Sequence, residues 1–420
     1  MLKIAPFQGV RYNPRKVGGL ARVVTQPYDI ISPEGQAAYY RKSPWNYVRL
    51  IFGRVQSSDS RSRNRYTRAR KHLTDWLRSG VLVQDGKPAL YPYLQEFTLD
   101  GKRGARWGLI TLVSLDSTGI HPHEHTRPGP KQDRVRILQT VQAVLSPIFG
   151  LVPDSDRRFR QAIQSKVRGL RPAARVRLDG VENTLWRIED PAWIARMQRL
   201  LAPKPVVIAD GHHRFEAAKI YRGLKGRRQG AAWNFTMFDL TSAAGDDPGL
   251  LPTHRMLTGF PEAGLPGALK RWRVTPAGRG LQNVEKLSRT VERLKDRRRL
   301  GVGLALSNGH GGFLIEPKGR GRYHLDVEWL HEELLPALYG SDRSGKKRAT
   351  AAVEASLAFT QDLKRGWRHL RDGSGRALFV MQPPRTREVF DWARRGRRMP
   401  GKTTYFTPKP IAGLVAYLHA

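Results

Sequence analysis

The chain has 420 residues, 40% of them hydrophobic, with 74 Lys and Arg against 36 Asp and Glu, for a net charge of +38. That length and apolar content predict two or three structural units and exclude a wholly disordered chain, and the absence of cysteine excludes disulfides, thiolate metal sites and cysteine nucleophiles. No apolar stretch of about 18 residues predicts a membrane-spanning helix, no signal peptide is visible, and a cytoplasmic protein without membrane association is expected.

In chain order, Tyr47 to Gly53 reads as a strand, and the polar run Gln56 to Arg65 as an exposed loop. Ala69, Leu73, Trp76 and Leu77 share one face of a predicted helix that Gly80 ends. Leu90 to Leu94 and Trp107 to Val113 are predicted strands of a hairpin turning at Asp100-Gly101. A polar loop is expected from His121 to Lys131, a helix over Val135 to Val144, and a buried strand over Ser146 to Val152. A second hairpin surrounds Asp179-Gly180 and ends in Leu185-Trp186-Arg187-Ile188. Pro205 to Asp210 is a short apolar strand that runs into Gly211-His212-His213-Arg214 and a helix from Phe215 to about Tyr221. Trp233 to Leu240 resumes the apolar pattern. The remainder mixes helices and strands around a loop at Gly340 to Arg348, closing with Phe379 to Met381, a helix near Val389 to Ala393, and Thr404-Tyr405-Phe406. The fold class is α+β, divided into an N-terminal element (1–85), a core (86–240) and a C-terminal α/β element (241–420).

Chemistry concentrates where the apolar strand ends. Asp210, His212, His213 and Arg214 occupy five positions at a strand end and helix start, where unpaired backbone N–H groups face an anion. Arg grips phosphate oxygens with a planar fork, His exchanges a proton near neutral pH, and Asp can hold Mg2+. Two adjacent His point in different directions, which argues against joint ligation of one metal. A second cluster holds His121, His123, Glu124 and His125, followed by Lys131 and Arg134. A carboxylate there can act as general base on a substrate hydroxyl, Lys131 suits a phosphate contact, and a zinc or nickel site is the competing reading. Tyr28-Asp29 follows Gln26-Pro27 at a turn, and Thr253-His254-Arg255 offers a further phosphate contact. Lys402-Thr403-Thr404 resembles a phosphate-binding loop in composition only.

The basic charge makes nucleic acid a candidate partner. The charge is spread along the chain, with its densest runs at Arg61 to Arg65, Arg293 to Arg299, Lys346 to Arg348 and Arg394 to Arg398, and no nucleic-acid motif accompanies them. A solvated basic surface is the plainer account. The sequence carries no signal for an oligomeric state.

Several segments match one family in order: Pro6-Phe7 to Asn13, Pro27 to Ser32, Pro122 to Arg134, Ser146 to Gly150, Ala209 to Ala218, Leu251 to Arg255, and Met399-Pro400 to Val415. On these motifs the chain resembles domain-of-unknown-function family 1015 over essentially its whole length. Its Asp-Gly-His-His-Arg segment, preceded by Pro122-His123-Glu124 and followed by Lys402-Thr403-Thr404, is similar to that of the free-serine kinases. This resemblance implies a ParB/sulfiredoxin-like nucleotide-binding core flanked by family-specific N- and C-terminal elements. It implies transfer of a phosphoryl group from ATP or ADP, with Mg2+, to a small-molecule hydroxyl, most directly that of L-serine. Glu124 would be the base. Asp210, His212 and His213 would be catalytic, with Asp210 on Mg2+. Arg214, Lys131, Arg134, His254 and Arg255 would bind phosphate, and Tyr28, Asp29, His123, Lys402, Thr403 and Thr404 substrate. The rival reading is a nucleotide-gated DNA-binding regulator of ParB type, for which residues 215–300 offer no helix-turn-helix.

Overall fold

A computed structural model describes every residue except 100, 123–127, 244–248, 260–268, 297–298, 308–310, 319–322, 324, 340–352, 354, 397–398 and 420. Residues 1–249, 389–397 and 406–420 form one unit, and residues 250–388 and 398–405 a second. The expected α+β class holds in both.

The first unit is a nine-stranded mixed sheet. Its strands are β1 (Ile4–Ala5), β2 (Tyr91–Leu99), β3 (Lys102–Ser114), β4 (Ile120–His121), β5 (Ile148–Pro153), β6 (Ala174–Leu178), β7 (Val181–Leu185), β8 (Val206–Asp210) and β9 (Phe235–Ala243). The spatial order is β4-β8-β5-β9-β3-β2-β7-β6, with β1 beside β3. The pairs β4–β8 and β5–β9 are parallel and the rest antiparallel. Turn chemistry sets the register. Asp179 and Gly180 both take positive φ, as a two-residue type I′ connection requires, and β6 pairs with β7 from Leu178 and Val181 outward. The first expected hairpin is also formed, from Leu99 opposite Lys102, with Gly101 at φ +77°. Asp100 lies outside the described residues.

Helices of the frame include α1 (Arg65–Arg78), α2 (Pro128–Val141), α3 (Arg158–Val167), α4 (Pro191–Leu201) and α5 (His212–Lys225). Asn64 caps α1 in a reciprocal box with Thr67, and Ala69, Leu73 and Trp76 form its buried face. Phe159 and Ile163 of α3, Trp193 and Met197 of α4, and Phe215 and Tyr221 of α5 join the core of the sheet. Each such side chain contributes about 1.5–3 kcal/mol on full burial.

Four local expectations change. Tyr47 to Gly53 is not a strand: Val48–Ile51 is one helical turn, with the Asn46 side chain accepting from the Val48 N–H. Short apolar runs satisfy both periodicities, and tertiary packing decides. The helix expected from Val135 begins at Pro128, because proline suits a first turn whose N–H groups need no intrahelical partner. It ends at Val141, and Ala143–Val144 instead pairs with Tyr417–Leu418. The helix expected from Phe215 begins at His212.

The second unit is a six-stranded antiparallel sheet of β10 (His254–Leu257), β11 (Arg273–Gly278), β12 (Val302–Leu306), β13 (Gly312–Glu316), β14 (Leu357–Thr360) and β15 (Ala377–Val380), ordered β11-β13-β12-β15-β10-β14. Helices α6 (Leu281–Asp296) and α7 (Leu363–Arg371) supply Val284, Leu287, Val291 and Leu370 to its core. The loop expected at Gly340 to Arg348 lies outside the described residues. Among the described residues no helix is long and apolar enough to cross a membrane.

Candidate functional site

The strand–turn–helix read from the sequence is built from β8, Gly211 and α5. A register shift between Ile208 and Asp210 re-aims the end of β8. Gly211 follows in the left-handed region, at φ +96°. A Cβ there would also lie 2.9 Å from the Arg214 Nε, so glycine lets the guanidinium fold back over the turn. His212, His213 and Arg214 make the first turn of α5, and His212 is buried. Arg214 donates from Nη2 to Asp210 Oδ2 and from Nη1 to the Pro147 carbonyl.

The other Asp210 oxygen meets a residue the motif did not announce. Lys409 Nζ ion-pairs with Asp210 Oδ1 and Asp29 Oδ2. The Lys409 side chain is 8% exposed, that of Asp210 14% and that of Asp29 29%. Burial alone would raise the Asp210 carboxyl; the charges of Lys409 and Arg214 outweigh it and hold the group well below the usual carboxylate range. Burial likewise opposes the Lys409 ammonium, and Asp210 and Asp29 reverse that and hold it above its ordinary value.

Lys409 arrives on a C-terminal strap fixed by backbone contacts. Arg106 donates to the Pro408 carbonyl at 2.6 Å and the Thr407 carbonyl at 2.9 Å, and Gln95 to the Lys409 carbonyl at 3.2 Å. Ala412 then exchanges backbone hydrogen bonds with Thr25, which brings the strap alongside the segment bearing Tyr28 and Asp29.

Tyr28 sits in the short helix Tyr28–Ile30. The Arg134 guanidinium lies 3.7 Å from its ring centroid. Arg134 is buried on α2 and donates to Asp133 and to the Ile51 carbonyl. Burial raises the Tyr28 hydroxyl, Arg134 and Arg214 lower it, and Asp29 and Asp210 raise it again. One cluster therefore joins Tyr28, Asp29, Arg134, Asp210, Arg214 and Lys409. Lys131 stands one turn before Arg134 on α2.

His123 and Glu124 lie outside the described residues, as does His125. Thr253-His254-Arg255 and Lys402-Thr403-Thr404 belong to the second unit, where they meet each other. Arg255 is buried and donates to the carbonyls of Thr253 and Lys402. Burial and Arg255 push His254 down to about 4, and its Nδ1 accepts from the Met381 N–H. The Thr403 hydroxyl donates to the Pro400 carbonyl. Lys402 is exposed.

The Mg2+ role expected of Asp210 does not fit this arrangement. Both its oxygens already meet cations, which compete with a divalent ion for the carboxylate. Among the described residues no group of three or more His, Asp or Glu could hold a metal ion.

The family model described as a protein of unknown function, DUF1015, matches residues 4–327. The chain belongs to that family. No curated protein matches it significantly. Among solved structures it is similar to a conserved hypothetical protein from Pyrococcus furiosus, at 14% identity and a TM-score of 0.35 over 72% of this chain and 93% of that one. It is also similar to a free serine kinase in complex with AMP, at 14% identity and a TM-score of 0.36 over 70% and 86%. SbnI with C-terminal truncation from Staphylococcus aureus follows at 11% identity and 0.32, over 71% and 84%.

Proposed function

We propose that the protein is a nucleotide-dependent small-molecule kinase that phosphorylates the hydroxyl of free L-serine, working on a ParB/sulfiredoxin-like core within residues 86–240. The observation that carries this reading is the convergence of Lys409 and Arg214 on Asp210 where β8 gives way to the N-terminus of α5. An anion arriving there meets the first-turn N–H groups of the helix and two side-chain cations. Asp29 is the more exposed of the two carboxylates on Lys409. It is therefore the one a nucleotide phosphate displaces, while Asp210 keeps Lys409 and Arg214 in place.

The acceptor hydroxyl oxygen forms the new P–O bond, and the bond from phosphorus to the nucleotide's bridging oxygen breaks. The hydroxyl proton passes to Glu124, as the Pro-His-Glu resemblance implies. Lys409, Arg214 and His213 stabilise charge on the transferring group. No step is assigned to a metal held by Asp210.

The test supplies ATP and then ADP with L-serine, followed by a panel of other hydroxyl compounds, and measures O-phosphoserine by mass spectrometry. Formation of O-phosphoserine that disappears in Glu124→Gln supports the reading. Nucleotide binding without transfer to any acceptor contradicts it and favours a nucleotide-gated DNA-binding protein.

A further inference from the structure

A second basic feature of the first unit stands apart from the Asp210 motif. Between the segment around Tyr40 and helix α1 lies a cleft of about 350 Å³ whose lining includes Arg41, Arg49, Arg54, Arg65, Arg68 and His72. Two of the five arginines are neutralised: Arg68 pairs with Asp59, and Arg65 with Asp133. Among the described residues Arg41, Arg49 and Arg54 have no carboxylate partner. Three uncompensated guanidinium charges thus face one concavity.

Their placement is held by the protein itself. The guanidinium carbons of Arg49 and Arg54 lie 4.1 and 4.2 Å from the centroid of the same Tyr40 ring. Arg49 donates to the Tyr40 carbonyl at 3.2 Å, while its Nε is buried without a hydrogen-bond acceptor. The Tyr40 hydroxyl accepts from the Arg54 N–H at 3.0 Å, and Arg68 donates to the Arg54 carbonyl at 2.8 Å. Burial lowers the Arg49 pKa, Tyr40 partly offsets this, and the neighbouring Arg54 adds a smaller lowering. Clustered guanidinium charges attract an anion, and guanidinium forks match phosphate oxygens two at a time. The Tyr40 ring is taken up by the two guanidiniums, so the cleft selects for phosphate charge rather than for a stacked base.

We propose that this cleft is a binding site for a small polyphosphate anion. It adjoins the candidate active site through Asp133, which takes Arg65 from the cleft and Arg134 from beside Tyr28.

The test is calorimetric titration of the full chain with sodium tripolyphosphate at fixed ionic strength. The cleft variant is Arg49→Gln with Arg54→Gln. The charge-matched control is Arg289→Gln with Arg293→Gln, two exposed positions of α6 in the second unit. Folding of each variant is checked by thermal unfolding. The expected result is saturable binding that weakens at least about tenfold in the cleft variant and is unchanged in the control. Equal weakening in both would reduce the effect to overall charge and overturn the site, as would unchanged binding in the cleft variant. A chain that binds a single-stranded oligonucleotide but not tripolyphosphate would also overturn it, in favour of a nucleic-acid surface.

Discussion

Lys409 is the residue on which the first unit's polar cluster turns. Without it, Asp29 and Asp210 would face each other with only Arg214 to offset them. Removing one member of a buried ion pair costs about 3–5 kcal/mol; the partial exposure of Asp29 places Lys409→Met near the low end, about 3 kcal/mol by urea unfolding near pH 7. The pH dependence has a definite sign. Asp210 is held below the ordinary carboxylate range, so its contribution is complete above about pH 4 and is lost as pH falls further. Lys409 is held above its ordinary value, so its contribution is complete below about pH 10 and fades at higher pH. The wild-type thermal midpoint should therefore drop more steeply below about pH 4 than that of Lys409→Met. Parallel acid limbs would show that Lys409 does not hold Asp210 ionised. Asp210 and Arg214 were legible in the sequence because they sit together after an apolar strand. Lys409 was not, because it is one of 74 basic residues and its partner Asp29 lies 380 positions away.

At the scale of elements, local chemistry announced what local chemistry determines. The Asp179-Gly180 turn and the strand leading into Gly211 were readable because their φ requirements are local. The helical turn at Val48–Ile51 was not, since packing among Tyr47, Leu50, Ile51 and Trp76 decides its form. Asp239 on β9 is a second feature that only the assembled sheet reveals. Burial pushes its carboxyl up to about 7, with Arg106 opposing. A Cβ on Gly108 of β3 would come within 2.2 Å of Asp239 Oδ1, so only glycine fits there. The folded chain then holds a proton on Asp239 that the unfolded chain gives up near pH 4, and stability is lost as pH rises from about 4 to 7. Asp239→Asn should raise the free energy of unfolding by on the order of 2 kcal/mol near pH 8 and change it little near pH 4. A gain independent of pH would contradict this.

For the whole molecule, a net charge of +38 is a standing self-repulsion. Added salt shortens its range, with a Debye length of about 10 Å at 0.1 M. The thermal midpoint should rise between about 20 and 300 mM sodium chloride, because the many unpaired surface charges outweigh the few buried pairs that salt weakens. A midpoint that falls would mean that attractive pairs dominate the surface. Non-specific oligonucleotide binding, where it occurs, should weaken steeply over the same range.

Phosphoryl transfer by the cations gathered on Asp210 remains the proposal with the sharpest experimental consequence. The most direct measurement compares O-phosphoserine formation by wild type and Lys409→Met, with nucleotide affinity determined in parallel and folding verified by circular dichroism. The expected result is a loss of turnover of at least about a hundredfold that exceeds any loss of nucleotide affinity. Undiminished turnover in folded Lys409→Met would contradict it.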